Sequence, residues 1–532
     1  MNYADLFRVT LPETALELAA LVVLVVDLGF LRKAVLKVRV AVAALLGVAG
    51  CGAALWALQA QGTVRLSADD DGWSTLLQTG IHIQVAQTGI LVLTALTLLL
   101  LIDSDFTKHV GEFVAVVLMA AAGGLLVAGA QDLLVIFVGL ELLSLGLYIM
   151  TAFTKSSAKS AEAAIKYYLF GGMSAAFLLF GFSYFYGLSG STNLAEIQQT
   201  IADSGPNPLF YIAWILVVAG LGFKVAAVPF HLWAPDTYEG APAPAAAFIA
   251  SVSKLASFAL LLTIGSKWLT FQESFDLSLG AAAQMLHRYG QVWTQLAAVL
   301  LIVAAASMVV GNLAALAQVS VRRLLAYSAI AHAGYMLLGV AALPHYSGVL
   351  ENSGAQENFN SMFRKLGSVD GSADAVLYYV LTYGLTTIGA FGVVSVVERA
   401  TGSDRMDAFL GLHKRNPLLA AVLLVLFLSL AGIPPLVGFW AKFNLFAAVL
   451  GVSAGAAPFG LVALAVALSA VSLYYYLQVL KRAYVMPAVD ETPIKAHPVT
   501  MAVLVLIAAA VVVLGCFPAL LMGWIESFYP AM

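Results

Sequence analysis

Six ionisable side chains lie inside apolar runs of this 532-residue chain. They are Glu141 in LVIFVGLELLSLG, Lys166 in AAIKYYLF, Lys224 in GLGFKVAAVPFHLW, Lys254 in SVSKLASF, His332 in YSAIAHAGY and Lys442 in IPPLVGFWAKF. Carrying a charge into hydrocarbon costs at least about 2.5–3.5 kcal/mol, so a residue of this kind is held there by a partner or by a role in ion movement. Carboxylate, ammonium and imidazole groups at one depth on separate helices can hand a proton from one to the next. Glu141 sits about 14 Å into its run at 1.5 Å per residue, and Lys224, Lys254 and His332 are similarly central. Lys166 is closer to an end, where its stem can snorkel to the interface. Taken singly, each group also fits a structural ion pair, and His332 and His231 fit neutral core imidazoles. Taken together, they read as a lateral row across a membrane.

The elements that position this row are broken helices. Pro229 follows Lys224, and Pro434 with Pro435 precedes Lys442. Each proline removes a backbone donor and frees carbonyls, which at membrane depth is tolerated where protein or water satisfies them. Either break taken alone also reads as a plain kink. The segment PDTYEGAPAP, from Pro235 to Pro244, cannot continue a helix and ends the Lys224 segment.

Composition places these elements in a membrane. The chain is 61% hydrophobic and 10% charged, with a mean hydropathy of +0.94, against about 25% charged residues in soluble proteins. Windows of about nineteen residues predict an all-α polytopic membrane protein with fourteen transmembrane helices. Their limits are 11–31, 38–60, 81–102, 112–130, 132–153, 160–188, 208–238, 244–268, 291–313, 322–342, 375–398, 416–449, 458–480 and 498–521. The polar stretch Leu343 to Asp374 is read as a loop. Of the 26 Lys and Arg, sixteen fall in connectors after odd-numbered spans and six on the opposite side. The positive-inside bias then puts both termini on the outer face. The four left over are Lys166, Lys224, Lys254 and Lys442.

The broken, lysine-bearing spans seven and twelve are five apart, as are span five with Glu141 and span ten with His332. An odd offset reverses direction, so spans four to eight and nine to thirteen read as two inverted five-helix repeats containing broken helices. The predicted units are 1–110, a three-helix segment; 111–270, the first repeat; 291–485, the second; and 486–532, a C-terminal helix. Gly171-Gly172 and Gly123-Gly124 read as close helix packing, and Tyr474-Tyr475-Tyr476 as part of an interfacial belt or the lining of a hydrated path. Cys51 and Cys516 stand far apart in sequence. With no CxxC, no HExxH, no phosphate-binding loop and no paired mid-helix histidines, the chain is expected to bind no metal or redox cofactor of its own.

The strings GLGFKVAAVPFHLWAPDTYEGAPAP, VGLELLS, SVSKLAS, YSAIAHAGY and AGIPPLVGFWAKF together resemble the antiporter-like membrane subunits of respiratory complex I, the proton-pumping NADH-quinone oxidoreductase, over roughly spans four to thirteen. The resemblance is to the N-type branch. The chain stops after span fourteen without the lateral extension of the L-type, and it carries Lys442 where the M-type has a glutamate. The resemblance implies a proton relay in which Glu141 pairs with the broken-helix Lys224, Lys254 is central, His332 is a relay position, Lys442 is the terminal exit lysine and Lys166 is accessory. It implies that NADH, FMN, iron-sulfur clusters and quinone belong to other subunits, that the partners are membrane-arm and peripheral-arm subunits, and that the location is a bacterial inner membrane. Two other readings share the buried charges: a subunit of a cation/proton antiporter or membrane-bound hydrogenase complex, and a scaffold whose charges only pin helices in register.

Overall fold

Leucine and alanine dominate the apolar runs and are favourable in helices, and hydrocarbon leaves a helix or a closed barrel as the only ways to satisfy the main chain. A computed structural model describes residues 7–61, 76–204, 207–269, 279–343, 369–452, 456–488 and 490–527, which are helical with no strand among them. The principal helices in chain order are α1 (Leu11–Val25), α2 (Leu36–Ala60), α3 (Ile81–Leu101), α4 (Val110–Gly129), α5 (Leu133–Thr151), α6 (Ala158–Ser189), α7 (Pro208–Lys224) and α8 (Ala234–Gly240). They continue with α9 (Ala243–Leu269), α10 (Leu279–Leu316), α11 (Val321–Ala342), α12 (Val369–Thr401), α13 (Pro417–Ala431), α14 (Val437–Val452), α15 (Ala456–Tyr484) and α16 (Pro498–Cys516).

Several starts are fixed by side-chain caps. Asp132 accepts from the Leu134 amide at 2.8 Å to open α5, and Ser320 accepts from the Arg323 amide at 3.2 Å to open α11, each satisfying a donor that a helix start leaves unpaired. Among the described residues, eleven helices are long and apolar enough to cross a membrane, and α7, α13 and α14 are shorter apolar helices. The difference from the expected windows has a local cause. The window 208–238 divides into α7 and α8, and 416–449 divides into α13 and α14, at the predicted prolines. The first window continues past α1 as a π turn, Val26–Phe30. The expected loop Leu343 to Asp374 is corrected at its far end: α12 begins at Val369, because its polar first turns escape a hydropathy window. Residues 344–368 of that loop lie outside the described residues.

Close packing holds at Gly123, where a Cβ would lie 2.6 Å from the Leu143 amide nitrogen, so α4 and α5 nearly touch. It does not hold at Gly172, which has no neighbour within 4 Å of such an atom; the pair Gly171-Gly172 straddles the edge of a contact, and only Gly171 faces Tyr148. The centre of the bundle belongs to α9 and α11, buried over 94% of their apolar windows, whereas α6 and α15, at 33%, lie at its margins. Lys254 and His332 are therefore on the two most enclosed helices. Near one end, Asp27 joins α1, α2 and α4: it accepts from Arg39 Nε at 2.7 Å, from a terminal guanidinium nitrogen at 2.6 Å and from the Gly111 amide at 3.1 Å.

Candidate functional site

The first break leaves Lys224 as the last residue of α7, where its side chain turns inward to α5. Its Nζ donates to Ser144 Oγ at 2.5 Å and lies 3.6 Å from Glu141 Oε1. Ser144 lies one turn beyond Glu141 and donates onward to the Leu140 carbonyl at 2.5 Å, so one helical face holds both partners. Lys224 is 6% exposed and Glu141 28%; the pair is a buried cation against a carboxylate at the edge of the bundle. Across the break, the Val228 amide donates to Ser307 Oγ at 2.9 Å and Trp233 Nε1 donates to the Phe223 carbonyl at 3.0 Å. Pro229 thus interrupts the helix where α10 and an indole take up the freed main-chain groups. His231 lies within the same break, with no hydrogen-bond partner at Nδ1 among the described residues.

Lys254, 2% exposed, has no carboxylate within ion-pair distance among the described residues. Its Nζ donates to the Ala329 carbonyl on α11 and lies 5.4 Å from the Tyr383 ring centroid on α12, a contact that favours a cation over the ring face. His332 is one turn further along α11. Its Nδ1 is 2.9 Å from the Tyr379 hydroxyl, and its ring lies 4.9 Å from that of Tyr383. Tyr383 therefore faces both Lys254 and His332.

The second break does for Lys442 what Ser144 and Glu141 do for Lys224. At Pro434-Pro435 the helix stops, and Lys442 Nζ donates to the carbonyls of Leu430 at 3.2 Å and Ala431 at 2.9 Å and to Ser469 Oγ at 2.7 Å. Gly432 makes room for this: its φ is +88°, and a Cβ would fall 3.1 Å from Nζ. The ammonium also lies 5.4 Å from the Tyr335 ring centroid. From Tyr335 the contacts continue, because Asn312 Nδ2 donates to its hydroxyl at 3.1 Å and the Tyr475 hydroxyl donates to Asn312 Oδ1 at 3.2 Å.

Lys166 is not a member of this row. It is 40% exposed and bridges Glu162 and Asp236, each at 2.7 Å. Arg323 joins the same group through Asp236 at 2.6 Å and Glu239 at 3.0 Å. A neighbouring cavity of about 650 Å³ is lined by Lys159, Glu239, Arg322, Glu398 and Arg399 among others, and Arg322 approaches Glu398 at 3.3 Å. Asp236→Asn removes the carboxylate charge that Lys166 and Arg323 share and is expected to lower thermal stability by about 1 kcal/mol or less, the scale of partly exposed ion pairs; melting curves of the variant against the parent chain check it.

Tyr335, Tyr379, Tyr383 and Asn312 were not legible as functional residues. Tyr475 and Tyr476 are fully buried, which does not fit an interfacial belt and leaves the other reading, the lining of a path, while Tyr474 is turned outward; Tyr476 meets Ser328 on α11. The available signal was helical register: Tyr335 lies three residues after His332, and Tyr379 and Tyr383 are four apart. Asn312→Leu removes both links to Tyr335 and Tyr475 and leaves the Tyr335 hydroxyl unpaired at about 1–3 kcal/mol. It is expected to slow proton movement on the order of tenfold with the chain folded, read as the rate of acidification in reconstituted vesicles.

The family model described as NADH:quinone oxidoreductase/Mrp antiporter, TM, matches residues 130–279, 276–350 and 361–470, which contain the row except for the last turns of α15. The chain is 46% identical over 536 residues, covering 99% of both sequences, to "NADH-quinone oxidoreductase subunit N 2" of Acidobacterium capsulatum. A chain of respiratory complex I from Thermus thermophilus is similar at 32% identity and a TM-score of 0.70, with 96% of this chain and 98% of that one covered. A chain of the Mrp complex from Dietzia sp. shares the fold, with a TM-score of 0.74 at 20% identity over 97% of this chain and 96% of that one.

Proposed function

Because the chain belongs to the NADH:quinone oxidoreductase/Mrp antiporter transmembrane family, we propose that it is a proton-translocating membrane-arm subunit of NADH-quinone oxidoreductase. The observation that carries the mechanism is the buried row itself. Glu141 holds Lys224 across the first break, Lys254 and His332 share Tyr383 at the centre, and Lys442 rests on the open carbonyls of the second break. A carboxylate beside an ammonium favours its charged form, and distance from the carboxylate removes that support. A change at Glu141 therefore switches Lys224 between keeping its proton and passing it inward. Lys254, His332 and Lys442 receive it in turn, each neutral before and cationic after. The chain does no redox chemistry; NADH, FMN, clusters and quinone act in partner subunits, and their reaction drives the switch.

In the proposed architecture α4 to α9 and α10 to α15 are two inverted five-helix repeats, with α7/α8 and α13/α14 as corresponding broken spans, and fourteen spans cross the membrane; the two proline breaks support this arrangement. The units are 1–110, 111–270, 291–485 and 486–532. Lys159, Arg322, Arg323, Arg399 and Arg405 gather around one cavity on one face. That face is cytoplasmic by the positive-inside bias, and both termini lie on the outer face of a bacterial inner membrane. Lys166, with Asp236 and Arg323, braces the mouth on the cytoplasmic side.

Glu141→Gln keeps the shape of the site and removes the charge. In proteoliposomes holding the assembled complex it is expected to reduce protons moved per NADH oxidised severalfold, with NADH oxidation in uncoupled vesicles retained. Unchanged pumping would sink the relay.

A further inference from the structure

A second cavity, of about 170 Å³, opens on the face poor in basic residues, between α3, α9 and α12. Gln78, His82, Gln131, Thr263, Ser266 and Ala373 are among its lining residues. At its rim His82 Nε2 on α3 lies 3.1 Å from Asp374 Oδ1 on α12. The relay described above does not use it.

One buried polar group on the cavity wall has no hydrogen-bond partner among the described residues: Gln131 Nε2, on a residue 5% exposed. Ser372 Oγ and the Tyr378 hydroxyl, which have none either, belong to the residues next in sequence to the lining Ala373 and Leu377 of α12. A buried polar group left unpaired costs about 1–3 kcal/mol, and ordered water is the usual remedy. The volume holds several waters at about 30 Å³ each. The cavity also comes near the relay. On α9 its nearest lining residue, Ala259, is about 7.5 Å of helix from Lys254. On α12, Ala373 and Leu377 line it, and Tyr379 and Tyr383, the partners of His332, follow on the next turns.

We propose that this cavity is a water-filled outlet serving Lys254, through which a proton reaches the outer face without passing Lys442. The inference rests on the relay reading above. In the step, the Lys254 ammonium breaks one N–H bond and gives that proton to a water bonded in line with the Tyr379 and Tyr378 hydroxyls. Each water in the file accepts one proton and releases another, the His82–Asp374 pair takes the last, and one proton leaves to bulk. Lys254 is left neutral and is recharged from Lys224. His82 and Asp374 act at the mouth, as the final acceptors.

The test uses the assembled complex in vesicles with the outer face exposed, carrying Ala373→Cys in a Cys516→Ser background. The probe is a membrane-impermeant, positively charged methanethiosulfonate. Protons moved per NADH oxidised are measured before and after labelling, beside Lys254→Ala. Labelling is expected, with a fall in pumping smaller than that in Lys254→Ala, which also cuts the route to Lys442. No labelling, or labelling with pumping unchanged, overturns the outlet. Thr263→Cys repeats the measurement on α9 should Ala373→Cys fail to assemble. Loss in Lys254→Ala without loss on labelling defeats the outlet alone; no loss in Lys254→Ala defeats the relay and the outlet together.

Discussion

Lys224→Ala is expected to abolish proton translocation through this chain, on the order of a hundredfold or more as for the loss of a positioned acid–base group, while the assembled complex is retained. Lys224 makes two polar contacts, Ser144 and Glu141, and both are on α5. Its loss therefore leaves α7 packed by its apolar neighbours and removes only the ammonium at the break. The lone Glu141 left behind is 28% exposed, so the structural penalty is small. The double variant Lys224→Ala with Glu141→Gln separates the two meanings of the pair. If the charges only pin α5 to α7, neutralising both restores pumping, as removal of a whole buried ion pair is often tolerated. If Lys224 carries the proton, the double variant stays inactive. Acidification by reconstituted complex, normalised to NADH oxidation, decides between them.

The largest effect on stability is expected at Asp27. Its carboxylate is 2% exposed on the side chain and accepts both Arg39 nitrogens and the Gly111 amide. In Asp27→Ala the guanidinium and one amide lose their acceptor together, a situation that costs about 3–5 kcal/mol. Because these bonds tie the ends of α1, α2 and α4, the expected consequence is early melting of the N-terminal three-helix segment, before the central helices. Differential scanning of the solubilised complex with protease sampling of residues 7–61 checks this. A cost below about 1 kcal/mol, the scale of an exposed pair, would show that Asp27 is dispensable. Asp27→Asn, which keeps one acceptor oxygen, is expected to lose less.

The chemically informative residues were legible because hydrocarbon makes them costly. Lys224, Lys254, Lys442, Glu141 and His332 stand out of apolar text, and all are found buried or at a buried contact. The breaks were equally legible, since proline cannot donate and α7 and α13 stop where that matters. The partners were not. A serine such as Ser144 or Ser469 fits anywhere in a membrane helix by bonding the preceding turn, so nothing in its type announces that it also holds a lysine. The run Tyr474-Tyr475-Tyr476 shows the same limit: each residue advances about 100° around the helix, and an interfacial belt and a core lining are spelled alike until the rotation of α15 is known. Lys166 was legible as an ion that could reach the interface, but its bridge to Asp236 was not, because that carboxylate comes from α8, seventy positions away.

The tyrosine-lined centre has a bearing on ion selectivity. The described groups that join Lys254 to Lys442 are the His332 ring and the rings and hydroxyls of tyrosines. A proton can cross such a set by exchange of O–H and N–H bonds, with each heavy atom staying in place. A sodium ion has to travel bodily, shedding its water for oxygens that replace the lost hydration, and between the two lysines the oxygens described are tyrosine hydroxyls on separate residues. Replacing external Na+ by K+ should therefore leave the current through this chain unchanged, because the interior distinguishes ions by whether they can be relayed and not by their size.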